Sequence, residues 1–487
     1  MNRIYVTTSI PYVNARPHVG FALELAQADA VARYHRLVGR EVRFQTGTDE
    51  NAFKNILAAK ALGLSAAELV ERNSHLYRRL CGALSASPDD FIRTTEPRHR
   101  LGVHEFWRRL RPSDGYKAGY RGLYCDGCED FLQEKELVDG HCPDHAAPLV
   151  EVEEENHFFR LSAYQGQVED LIGSGRVKVV PAQRRNEVLS FVASGLRDFS
   201  VSRSAERAPG WGIPVPGDAT QVIYVWIDAL INYLSAPGLG SGEGWRRFWN
   251  EDVKKVHVIG KNVWKFHAVY WPALLLSAGL PLPDEIVVHG FLTVDGRKIS
   301  KSLGNVVDPL AVADEFGADA LRHYLLKGFS PFADGDFSLD RLVRLHNAHL
   351  ADGLGNLVGR VASLCAKSEF GRFSPHAVPE APEGYHEALA CYEFDKAIAV
   401  LWSVVTRVNQ EIERTRPWDL LKTPGGEAVR THLQCWLTEV HRVGHWLSPF
   451  LPDASRRVLE ALSQDRIAPC RPLFPRRNLP AEVDGRE

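Results

Sequence analysis

Methionine is all but missing: Met1 is the only one in 487 residues. Arginine also outnumbers lysine, and no function is read from either bias. Cysteine is sparse, with eight residues scattered at 81, 125, 128, 142, 365, 391, 435 and 470. Three of them fall in one short window, which excludes a disulfide framework and leaves one metal site plus buried thiols. No apolar run approaches the ~20 residues of a membrane span; even the richest stretch, 271–280, is far shorter. No basic n-region, apolar core and cleavage site open the chain, so a cytoplasmic location without membrane contact is expected. Nor is there a basic surplus. A net charge of −3 announces no global field for nucleic acid and leaves only a local basic face.

What is present is ordinary in bulk and specific in places. Hydrophobic residues at 45% and charged residues at 24% suit a globular chain, and the length predicts about two to four domains. Arg3-Ile4-Tyr5-Val6-Thr7-Thr8 reads as a short buried parallel strand. From about residue 20 to 37, apolar residues recur at helical spacing. Between them, two prolines, His18 and Gly20 sit at the positive end of that helix, where free N–H groups meet phosphate. Gly20 there would let a nucleotide lie close to the backbone.

Residues 1–112 alternate strands and helices. A second strand, 41–45, ends in Thr46-Gly47-Thr48-Asp49-Glu50, and the crevice rule for open parallel sheets puts Asp49 and Glu50 on the side of His18. From 119 to about 222 the alternation breaks. There Cys125-x-x-Cys128 and Cys142-x-x-His145 stand thirteen residues apart; a closed tetrahedron of soft and borderline ligands suits a structural Zn²⁺, with His141 a second candidate for the fourth position. Alternation resumes with a strand at 221–226, then strands at 256–259 and 285–289 separated by a long apolar helix. Lys298-Ile299-Ser300-Lys301-Ser302 follows, two lysines in a Gly- and Ser-rich loop suited to phosphate oxygens. Helical patterning covers 340–366, 385–415, 426–447 and 455–462, which reads as an antiparallel bundle. The fold class is α/β: a split, doubly wound Rossmann-type parallel sheet with a zinc-knuckle insertion, then an all-α bundle. The expected segments are 1–112 and 221–335 for the two halves of the nucleotide fold, 113–220 for the insertion, 336–470 for the bundle and 471–487 for a tail.

His18-Val19-Gly20-Phe21 and the Lys298–Lys301 loop, on the two halves of one split fold, resemble the class I aminoacyl-tRNA synthetases, and the finer match is to the methionyl-tRNA synthetase family. The resemblance implies residue roles. His18 matches the first histidine of the His-x-Gly-His signature on the ATP phosphates, so that His18, Gly20, Phe21, Asn262, Lys298 and Lys301 form the ATP site. Asp49 matches the carboxylate that fixes the substrate ammonium, and Arg203 an activating arginine. Ile10, Tyr12, Trp226, Ala229, Tyr233, Val263, Phe266, His267 and Trp271 match the methionine pocket, whose aromatic, polarizable walls suit a thioether. Asn356, Arg360 and Trp418 match the readers of the CAU anticodon, residue types that stack on and edge-read unpaired bases. ATP, Mg²⁺ and structural Zn²⁺ are the implied cofactors, an amino acid and tRNA(Met) the partners, and the lack of an appended dimerisation domain implies a monomer.

Four positions depart from the family pattern: Phe21 replaces the second signature histidine, Asn51-Ala52 replaces His-Gly, and Asn262 replaces aspartate. They leave three readings open. One is a working methionyl-tRNA synthetase with an altered nucleotide pocket. Another is a paralogue that adenylates an amino acid and passes it to a small N-hydroxylated amine, with a cupin-type partner, toward a hydrazine. The third is a non-catalytic tRNA-binding protein, against which the intact lysine loop argues.

Overall fold

The computed structural model describes residues 2–478 apart from 126–129, 133–136, 139, 143–148, 208–209, 295, 300–304, 376–377, 423–426 and 470. The chain forms two compact units. One comprises Met1–Pro17, Arg40–Leu80 and Pro88–His289; the other comprises His18–Gly39, Cys81–Ser87 and Gly290–Glu487.

Short β-branched runs make the frame of the first unit. Six strands form one parallel sheet in the order Asp90–Arg93, Glu41–Thr48, Arg3–Thr8, Val253–Gly260, Glu285–His289 and Lys178–Val180. The strand Glu285–His289 is buried at every position, and continuous apolar runs rather than alternation are what such a sheet requires. Strand order reverses between Arg3–Thr8 and Val253–Gly260, so the ligand crevice lies beyond Thr8 and Gly260. Phe106 stacks on Trp271 at 5.7 Å within the core.

Three expectations are corrected here. Residues 113–220 are not one insertion: Lys178–Val180, between helices Gln165–Ser174 and Ala182–Ala193, is the edge strand of the main sheet. The segment 221–226 is not a strand of the main parallel sheet. Asp218–Ile223 pairs antiparallel with Ser202–Ser204 in a small sheet, and Val225–Ser235 is helix, so Trp226 stands in a first helical turn. Its apolar residues recur at both helical and strand spacing, and the extended Tyr224 preceding the helix decides between them. The span 385–415 is two helices, Tyr385–Ala390 and Phe394–Thr415, because Tyr392 adopts a left-handed conformation with φ of 60°.

In the second unit, Leu292–Val294 pairs antiparallel with Arg297–Lys298 and parallel with Gly335–Phe337. From Leu339 to Leu462 every described element is helical. No described helix is long and apolar enough to cross a membrane.

Two helical stretches are wound wide, with hydrogen-bonded residues five apart along the chain. Phe266–Tyr270 precedes Pro272, whose missing N–H and ring exclude the ordinary bond to the carbonyl four residues back. The other, His346–Gly355, runs directly into Asn356. Such windings recur at functional sites.

Candidate functional site

In the first unit the crevice ends of the strands carry a pocket of aromatic rings. Tyr12 lies 5.5 Å from Trp226, and Trp226 stacks on Phe266 at 4.1 Å and 8°. Ala229 and Tyr233 come from the same helix as Trp226. The wide turn Phe266–Tyr270 brings Phe266 and His267 round. Val263 and Trp271 are buried beside them, while Ile10 is half-buried just past the first strand.

One polar pair stands in this apolar setting. His267 Nδ1 donates to the Val263 carbonyl at 2.9 Å, which leaves Nε2 as an acceptor for the Tyr233 hydroxyl at 2.7 Å. Burial pushes the His267 imidazole down to about 4, so the ring is neutral at pH 7 and the tautomer is fixed. Below it His257, also held neutral by burial, shares a proton with Thr7 Oγ1 through Nδ1 at 2.7 Å.

Asp49 follows the second strand. It is 1% exposed, pairs with Tyr12 in a parallel bridge, and its N–H donates to the Pro11 carbonyl at 2.9 Å. Its neighbour Glu50 does not share the crevice as expected. Arg93 grips the Glu50 carboxylate with two nitrogens at 2.7 and 3.1 Å, and Thr48 and Thr95 donate their hydroxyls to it. A buried charge is tolerable when so paired, and a group so occupied holds the fold rather than a ligand.

The departures in this unit are also mostly inward. Asn51 Nδ2 donates to Asp228 Oδ2 at 2.7 Å, and Asp228 bonds His99 at 2.5 Å. Ala52 is fully buried, whereas Asn262 is exposed just past the strand end at Gly260. Sequence reading missed the His99–Asp228–Asn51 chain because the three lie far apart along the chain, with no shared motif. Arg203 is 7% exposed, stacks 3.8 Å above Tyr224, and donates to Ser200 Oγ and the Ser202 carbonyl. With Asn51 and Trp211 it lines a small cavity of about 50 Å³, and Trp211 donates to the Glu50 carbonyl at 2.9 Å.

In the second unit, His18 caps the helix Val19–Leu37. Its Nδ1 accepts the Gly20 N–H at 3.0 Å, and burial lowers its pKa from the usual histidine value. The neutral ring therefore carries its proton on Nε2, a donor suited to a phosphate oxygen. Gly20 also has a reason inside the protein. A Cβ there would fall 2.8 Å from His18 Cε1, so the glycine makes room for the histidine ring itself. Phe21 is 6% exposed and its N–H bonds the His18 carbonyl at 3.0 Å. The backbone of Lys298 pairs with Thr293; its side chain and all of Lys301 lie outside the described residues. So do Cys128 and His145. Cys125 and Cys142 are each 1% exposed. Just before Cys142, Val138 and His141 exchange two backbone bonds of 3.0 Å around Gly140, whose φ is 76°.

Asn356, Arg360 and Trp418 line one groove of about 750 Å³ in the helical region. Arg360 lies 5.9 Å from the Trp418 ring centroid and pairs with Glu413 at 2.8 Å, while Asn356 donates to Asn409 Oδ1 at 3.4 Å. Trp418 is 38% exposed, large for an indole. Glu413 and Asn409 had no sequence signal, since both fall on the polar face of an ordinary amphipathic helix.

Known proteins are similar to this chain in sequence and fold. The family model described as tRNA synthetases class I (M) matches residues 4–149 and 144–362. The methionine–tRNA ligase of Brucella suis is 40% identical over 480 residues, 95% of this chain and 92% of that one. The Thermotoga maritima methionine–tRNA ligase is 39% identical over 479 residues, 95% of this chain and 75% of that one. The Mycobacterium tuberculosis methionyl-tRNA synthetase in complex with methionyl-adenylate superposes with a TM-score of 0.88 at 36% identity, covering 98% of this chain and 100% of that chain. An aromatic pocket at the switch point, a helix-capping His18 and 40% identity along nearly the whole length lead to one assignment: the chain belongs to the methionyl-tRNA synthetase family of class I tRNA synthetases.

Proposed function

We propose that the protein activates L-methionine with ATP and transfers the methionyl group to tRNA(Met). The pocket of Tyr12, Trp226 and Phe266, closed by the neutral Tyr233–His267 pair, carries this reading. It offers a flexible thioether polarizable ring faces. Asp49 supplies the carboxylate for the substrate ammonium. In the first step a methionine carboxylate oxygen attacks the α-phosphorus, the bond to the bridging oxygen breaks and pyrophosphate leaves. The Nε2–H of His18 donates to phosphate oxygen, and Lys298 and Lys301 offset charge on the departing pyrophosphate. Mg²⁺ bound with ATP supplies further charge neutralisation. In the second step a terminal ribose hydroxyl of the tRNA attacks the acyl carbon and AMP leaves. Asn356, Arg360 and Trp418 read the anticodon, and Arg203 positions groups beside the Asp49 turn.

Cys125, Cys128, Cys142 and His145 would hold Zn²⁺ as a closed, structural site; the burial of Cys125 and Cys142 supports this. Replacing Cys125 by Ser should release the metal, and unchanged zinc content by atomic absorption would refute the site.

Three of the four departures favour this reading over transfer to a small amine with a cupin-type partner, because Phe21 and Ala52 are buried and Asn51 is committed to Asp228. The deciding experiment is amino-acid-dependent exchange of pyrophosphate into ATP across the amino acids, followed by tRNA charging. Methionine-dependent exchange with charging supports the proposal. Exchange with another amino acid and no charging overturns it.

A further inference from the structure

One wall of the groove around Trp418 is not a helix. Pro472 and Phe474 line it, from a segment that runs back past the last helix. That segment is strapped down at closely spaced points. Arg457 donates to the Leu473 carbonyl at 2.8 Å, and His346 Nε2 donates to the Pro475 carbonyl at 2.9 Å. Asn347 closes a reciprocal pair with Arg477: it accepts the Arg477 N–H at 2.9 Å and donates to the Arg477 carbonyl at 2.8 Å. The Phe474 ring stands edge-on to His346 at 6.0 Å and 89°. From this strap Arg476 reaches Asp352 at 3.2 Å.

Asp352 is the one carboxylate among the described residues that line the groove, whose cations are Arg360 and Lys367. The Arg476 and Asp352 side chains are 70% and 49% exposed. A pair that wet contributes little to stability. Its field matters more to a polyanion, because an uncompensated carboxylate in the groove would repel phosphate.

We propose that the strap from Pro472 to Arg477 is part of the tRNA site, with Phe474 as an apolar wall for an unpaired base and Arg476 as the neutraliser of Asp352. The inference deepens the anticodon reading given above and rests on it. Single-stranded RNA is the occupant that fits, since an exposed indole, a guanidinium, an amide and a phenyl ring on one groove stack and edge-read bases.

The test compares tRNA KM in charging with methionine-dependent pyrophosphate exchange, which needs no tRNA. R476A should raise the tRNA KM about 3- to 10-fold at low salt, less at high salt, and leave exchange unchanged. Adding D352N to R476A should bring the KM back toward that of the parent protein, a rescue that a purely structural role for Arg476 would not give. F474A should raise the tRNA KM, and F474L less. An unchanged tRNA KM in R476A, or no rescue by D352N, overturns the proposal. W418A separates the two levels: if it raises the tRNA KM while R476A and F474A do not, the strap alone is overturned. If W418A also leaves it unchanged, the groove is not the RNA site and both readings fall.

Discussion

The Tyr233 hydroxyl does two things at once. It satisfies His267 Nε2 and, by donating, fixes which way the polar pair faces the pocket. Tyr233→Phe removes one atom and leaves a buried ring nitrogen unpaired, a cost of about 1–3 kcal/mol. If that cost appears in binding, the methionine KM in pyrophosphate exchange rises roughly 5- to 150-fold while the ATP KM holds. The same histidine sets a pH dependence. Its folded pKa of about 4 lies below the ordinary value of 6.5, so the unfolded chain takes up a proton first as pH falls. The contribution of neutral His267 to stability is therefore complete above about pH 6.5 and is lost on acidification toward pH 4. Denaturant unfolding should show a loss of about 2 kcal/mol from this group between pH 7 and pH 5, with His257 adding to the same slope. A stability that is flat over that range would contradict the assignment.

Residue types at this scale were legible in the sequence, but their duties were not. His18 and Asp49 could be singled out from their motifs, and the pocket aromatics from the family resemblance. That Glu50 is spent on Arg93 could not, because Asp49 and Glu50 are chemically alike and adjacent. Only the direction of each side chain separates a ligand group from a brace. Gly20 is a similar case: its lack of a side chain was visible, but that the His18 ring needs the space was not.

Among the elements, the helix Val19–Leu37 has the most to lose from a single change at its start. Gly20→Ala would put a Cβ within 2.8 Å of the His18 ring and push it off the helix end. Loss of one preorganised donor to a transition state costs about 10²–10³ in rate. Gly20→Ala should thus slow pyrophosphate exchange by about that factor, with circular dichroism and thermal midpoint little changed. A normal exchange rate would show that His18 reaches phosphate some other way, or not at all. The two wide helical windings teach a related lesson. Pro272 in the sequence marks one of them in advance, whereas nothing in 346–355 marks the other. Helical periodicity reads 3.6 and 4.4 residues per turn as nearly the same over so short a span.

At the scale of the whole molecule, each unit is assembled from separated pieces of chain. In the second unit Arg322 joins all three. It pairs with buried Asp29 at 2.7 Å and donates to the carbonyls of Leu84, Pro449 and Phe450. Asp29 is held ionised mainly by Arg322, which with Arg33 and the Ser87 N–H outweighs its burial. Arg322→Met leaves that carboxylate short of its main partner and three carbonyls without their donor. Removing one member of a buried pair costs about 3–5 kcal/mol, and urea unfolding followed by tryptophan fluorescence should register a loss of that size. A loss under about 1 kcal/mol would mean that the pair is solvated or readily replaced.

By itself the sequence determined the order of signatures, the parallel α/β class and the helical second half, because these rest on local periodicity and on residue types that tolerate few alternatives; the aromatic pocket came only with the family resemblance. The tertiary structure decided what depends on long-range approach. It put Lys178–Val180 at the sheet edge, turned Glu50 inward, tied Asn51 to Asp228, and laid Phe474 and Arg476 beside Trp418 and Asp352. A three-residue strand, an acid beside an acid and an irregular tail segment have no period to read. Their roles come from partners distant along the chain, and the fold alone makes those partners neighbours.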